Sequence, residues 1–213
     1  MTLPSQVFRR VRAAGWLILA GSIPGSEVGA GWIEQLLGHA NLSKPVFWLE
    51  TDVDTVEASE FLNEIEELIE APIDPTPIDQ AGWENAGLLL LPGRGKATGW
   101  VTPGTTVRLL ACLQAGGTLV ALGSPAAAFG EILPAAVGTL SPGLGWLPGS
   151  VILTEEGPTV QDPAIRSWLR GPEKRYALRL AEASVLALGP EREVEVWGDP
   201  PPGLTLGSAW SRA

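Results

Sequence analysis

The chain has 213 residues, 45% of them hydrophobic and 18% charged, with a net charge of −10. That length suits one α/β domain over residues 1–213, with a core from about 14 to 200, and the composition excludes a disordered chain. The negative charge argues against nucleic acid and anionic membranes as partners, because both need clustered Lys and Arg.

No apolar run reaches the roughly 18–20 residues of a membrane span. A single cysteine rules out an internal disulfide and fits a reducing, cytoplasmic compartment. A single histidine, His39, leaves little material for a metal centre, so neither metal nor cofactor is expected. Arg9, Arg10 and Arg12 before the apolar run Ala13–Ala20 have the look of a signal peptide. The run is short, is broken by Gly15 and leads into a Gly/Ser/Pro loop, so Trp16–Ala20 reads as the first core strand.

Strands and helices then alternate. A helix is predicted from near Glu27 to Leu37, with Gly38 as its stop, and Val46–Leu49 as the second strand. Asp54 to Glu57 is a capping-box-like start for a helix with Phe61, Leu62, Ile65, Leu68 and Ile69 on one face. Glu57, Glu60, Glu64 and Glu67 read as its solvated side. The proline-rich stretch 71–79 holds at most a short strand. Gly87–Leu91 is a buried parallel strand, Thr105–Ala115 a helix closed by Gly116-Gly117, and Thr118–Leu122 the next strand. A helix is predicted from Pro125 to about Leu133.

Val151–Leu153, Leu178–Ala183, Val185–Leu188 and Glu193–Trp197 read as short strands, with a helix from Asp162 to Leu169 among them and an irregular tail from 200 to 213. The expected fold is a three-layer α/β/α sandwich with a mostly parallel wound sheet and a C-terminal antiparallel portion.

Gly123-Ser124 ends an apolar strand and opens a small-residue segment, which places Ser124 at the strand-end edge where α/β sheets bind ligands. Around it the chain resembles the cyanophycinase-like peptidases of family S51, which share the class I glutamine-amidotransferase-like fold. The likeness spans roughly residues 14–200. It rests on Leu17 to Ser22 as the early strand and glycine loop, and on the strand Leu88 to Leu91, which ends in Pro92-Gly93 where the family has a Gly-Gly pair. It rests further on Leu122 to Ala127 at the elbow G-T-S-A-G-A, and on Gly143-Leu144-Gly145-Trp146-Leu147-Pro148 against G-L-G-L-L-P. The resemblance implies Ser124 as nucleophile and a pocket lined by Gly21, Ser22, Gly93, Arg94 and Pro125, for a small molecule or peptide.

The departures matter as much. The family's histidine falls on Glu155, a weak base at its ordinary pKa of about 4.3. Pro125 lacks the N–H that the residue after a nucleophile gives to an oxyanion hole, a loss of roughly 10²–10³ in rate. Leu122 and Ala126 replace elbow glycines. Ser124 at a helix N-cap followed by Pro125 at the first helical position explains both residues without chemistry.

Three functions stay open: a degenerate relative that binds without hydrolysing, an active serine hydrolase with Glu155 as base and Gly93 as oxyanion donor, and a structural subunit that pairs with a homologue. The hydrolase predicts a strained backbone at Ser124. The degenerate protein predicts a Ser124 cap bonded to a backbone N–H near residue 127.

Other candidates are weaker. Cys112 lies within a helix and reads as packing. Gly93-Arg94-Gly95-Lys96 lacks Walker spacing, and Asp52 and Asp54 lack the rest of a calcium loop. Of nine tryptophans, Trp83, Trp100, Trp146 and Trp210 fall in predicted loops or tail, where they serve a homo-oligomer contact or cover sheet edges.

Overall fold

Leu17 and Leu19 face one core, and Ile18 and Ala20 face another. This period-two division with both faces buried makes β1 (Leu17–Ala20) a central strand. Leu88 to Leu91 in β4 (Leu88–Gly93) and Leu119 to Leu122 in β5 (Thr118–Gly123) divide in the same way. Each leucine so shielded contributes roughly 2 kcal/mol of transfer free energy. The computed structural model describes residues 8, 10–23, 26–50, 56–80, 82–93, 100–136, 138–155 and 157–212.

With β2 (Val46–Glu50), β3 (Pro75–Pro77), β10 (Val185–Leu188) and β11 (Val194–Trp197), these strands form a seven-stranded sheet, ordered β11-β10-β1-β5-β4-β2-β3. β1, β5, β4, β2 and β3 pair in parallel, β10 pairs antiparallel with β1, and β11 pairs antiparallel with β10. The β3 edge carries two prolines, which blunt it against further pairing. α1 (Ser26–His39) and α2 (Val56–Ile69) cover one face through Trp32, Ile33, Leu36, Phe61 and Ile65.

The other face carries α3 (Pro103–Gln114) and, beside it, a second sheet. That sheet is β12 (Gly203–Leu206), β9 (Tyr176–Arg179), β8 (Leu147–Leu153), β6 (Gly130–Ala136) and β7 (Thr139–Pro142), in that order. Its inner residues Leu147, Ile152, Tyr176 and Leu178 join Leu109, Cys112 and Leu113 of α3 in one core. Its outer residues Val151, Leu153 and Ala177 pack on α5 (Pro163–Leu169).

The mixed α/β class expected from the sequence is therefore present. The second sheet, however, departs from a face covered by helices alone. The helix predicted over 125–133 is corrected to a single turn, α4 (Ser124–Ala127), followed by β6. Gly130 is a poor helix former and Pro134 removes a helical donor, and glycine suits position 130 in β6 because a Cβ there would lie 3.0 Å from Ile132's carbonyl oxygen. The tail expected to be irregular forms β12 and a short 3₁₀ turn over Ser208–Arg212. No helix among the described residues is long and apolar enough to cross a membrane.

Candidate functional site

The carboxyl ends of three adjacent strands, β1, β5 and β4, bring Gly21, Ser22, Gly93 and Gly123 to one edge. Glycine is required at three of these positions. A Cβ on Gly21 would lie 1.9 Å from the Ala181 carbonyl oxygen, and one on Gly93 would lie 2.5 Å from Pro125 Cγ and Cδ. One on Gly123 would lie 2.4 Å from the Gly93 carbonyl oxygen and 3.8 Å from Ser22 Cα.

The strained residue of the strand-to-helix turn is Gly123, with φ 73° and ψ −134°. That combination suits glycine and penalises any side chain. An elbow of this kind puts its nucleophile on the strained residue. Here that place has no side chain, and Ser124 is the first residue of the helical turn beyond it. The ungapped alignment that put Ser124 on the nucleophile is thus one residue away from the strained position. In this register the residue after the strained position is Ser124, which has a backbone N–H, so the objection from Pro125 no longer applies there.

Ser124 fits neither sequence expectation. It is not strained, and the N-cap is Gly123, without a side-chain capping bond. Its side chain is 7% exposed, and among the described residues its hydroxyl makes no hydrogen bond. Ser22 Oγ is committed to structure, donating to the carbonyl oxygens of Glu182 at 2.9 Å and Ile23 at 3.2 Å.

Glu155 is exposed on the turn after β8, where its carboxylate lies 3.6 Å from Arg179 Nη2. Both groups are about half exposed or more, so the pair is screened and weak. His39 sits at the other end of β1. It stacks on Trp16 at 3.8 Å and on Trp197 at 5.5 Å, with Nε2 3.2 Å from Glu195 Oε2. Cys112 is buried in α3, and burial pushes its thiol up to about 12, which holds it as an inert thiol. Among the described residues no group of three His, Cys, Asp or Glu could hold a metal ion. Arg94 and Lys96, with Asp52 and Asp54, lie outside the described residues.

Sequence reasoning missed Gly123 as the central residue of the turn. The signal was a glycine directly at the end of a buried strand. No protein-family model matches this chain, and no curated protein matches it.

Three of the four loop tryptophans, Trp83, Trp100 and Trp146, are buried rather than exposed. Trp83 is packed under the Arg108 guanidinium at 4.1 Å, and Trp146 packs edge-on to Phe129 at 5.1 Å. They cover the core of this chain.

Proposed function

We propose that this chain is a degenerate relative of the cyanophycinase-like serine peptidases, with the three-layer amidotransferase-like fold as its ancestral plan. It has given up hydrolysis and keeps the strand-end edge, through the backbone of Gly21, Ser22 and Gly93, for binding a small molecule or peptide. The observation that carries this reading is the strained backbone at Gly123. A side chain on that residue would meet the Gly93 carbonyl, so the elbow has no place for a nucleophile. Ser124, one residue on, has no imidazole or carboxylate bonded to its hydroxyl among the described residues, and an unassisted serine is a poor nucleophile at neutral pH.

The test is intact-mass labelling of the folded protein with a fluorophosphonate, beside Ser124→Ala. The reading predicts no adduct in either. A stoichiometric adduct that disappears in Ser124→Ala would show an activated serine and overturn it.

A further inference from the structure

A cleft of about 750 Å³ lies at the opposite end of β1 from Gly21 and Ser22, between the segment 10–14 and the β10–β11 turn. Its charge is unlike that of the rest of the chain. Arg10, Arg12 and Arg192 line it against Glu191 and Glu193, which leaves it one unit positive in a chain of net charge −10. Val11 supplies its apolar wall, over a floor of Phe8 and Leu188 that the chain itself almost wholly covers.

Two observations single out its arginines. Arg10 is held rigidly from one side: Nε donates to the Gly189 carbonyl at 2.9 Å, and Nη2 donates to those of Gly15 at 2.7 Å and Ala13 at 3.1 Å. Its Nη1 is buried without a partner among the described residues. A shielded, unpaired N–H on a cation is an unusual feature of a native structure, and it makes Arg10 a fixed positive charge behind the cleft wall rather than a group that a ligand touches. Burial pushes the Arg10 pKa down, and Glu193 only partly offsets this.

Arg192 has φ 68°, in the left-handed region that favours glycine or asparagine at a hairpin turn. A long cation therefore occupies a position that backbone energetics alone would give to a smaller residue.

We infer that this cleft binds a small organic oxyanion, with its charge held by Arg192 and Arg12 in front of the fixed charge of Arg10 and its apolar body against Val11. Guanidinium groups match the two-pronged geometry of carboxylate and phosphate alike. The site is separate from the strand-end edge and independent of whether Ser124 is activated.

The probes are phenylacetate and phenyl phosphate, titrated calorimetrically into the intact chain at fixed ionic strength. The variants are Arg192→Gly in the cleft and Arg166→Gln, an exposed cation on α5 outside it. Saturable binding of at least one probe is expected, and the better probe tells carboxylate from phosphate. Arg192→Gly is expected to weaken binding at least tenfold while the melting temperature holds or rises, because glycine relieves the left-handed turn. Arg166→Gln is expected to leave binding within twofold. Absence of saturable binding for both probes, unchanged binding in Arg192→Gly, or an equal loss in both variants overturns the inference.

Discussion

The Pro125 ring lies so close to Gly93 that a Cβ on Gly93 would fall 2.5 Å from both Cγ and Cδ. The contact locks the end of β4 against the turn after β5, so the two positions are energetically one unit. Gly93→Ala is expected to lower stability by roughly 2 kcal/mol. Pro125→Ala, which removes both ring carbons, is expected to recover part of that in the double variant. Urea unfolding of the four proteins measures the coupling, and a value of about 1 kcal/mol or more is expected. Additive losses would show that the two residues do not press on each other.

Placing a serine at the strained position does not make an enzyme. Gly123→Ser adds both the strain of φ 73° and a clash with a backbone oxygen, which cannot swing aside as a flexible side chain can. A loss of roughly 2 kcal/mol or more is expected, with no fluorophosphonate adduct. A stable variant that labels would show that the elbow still accepts a nucleophile.

Asp162 ties two elements together. Its Oδ2 accepts the Gly138 N–H at 2.9 Å, and its Oδ1 accepts those of Ala164 at 2.8 Å and Ile165 at 3.4 Å at the start of α5. These bonds, that of Gly138 first, hold its carboxyl below the ordinary value. A depressed carboxyl contributes stability that is present above its unfolded pKa of about 3.9 and is lost as pH falls through the folded value. Asp162→Ala is therefore expected to be less stable than the native chain at pH 7, with the gap shrinking below about pH 4. Unfolding curves at pH 7, 5 and 3 check this, and a gap that is constant with pH would contradict it.

Cys112 reports on opening of the main core. With its thiol buried and pushed up to about 12, a disulfide reagent at pH 8 is expected to label the native chain at least ~10³-fold more slowly than the unfolded chain. Labelling of the native chain at the unfolded rate would place the thiol at the surface.

The central strands were legible because both of their faces are buried. Leu17 to Ala20, Leu88 to Leu91 and Thr118 to Leu122 are unbroken runs of small or apolar residues bounded by turn residues. The second sheet was legible only in part: the runs Val151–Leu153 and Leu178–Ala183 anticipate β8 and β9, whereas β6, β7 and β12 were missed. In β6 the residues after Ala126, Ala127 and Ala128 look like a continuing helix, and only Gly130 and Pro134 stand against it. β7 and β12 are four-residue edge strands with no fully buried residue, so they leave no alternation to read. The turn at the candidate site was hard to read for a finer reason. Gly123 and Ser124 are neighbours that both suit a strand-to-helix turn, and only the backbone dihedrals tell which of them carries the strain. Glu155 aligned with a histidine by position, but the chain after β8 turns it out to Arg179.

The most direct measurement is equilibrium unfolding of Gly123→Ala and Ser124→Ala beside the native chain. With the strain on residue 123 and an unbonded hydroxyl on residue 124, Gly123→Ala is expected to cost about 1–3 kcal/mol, whereas Ser124→Ala stays within about 0.5 kcal/mol. The reverse order, with Gly123→Ala neutral and Ser124→Ala losing about 1 kcal/mol or more, would make Ser124 a bonded helix cap or a residue under strain. That result would contradict the account.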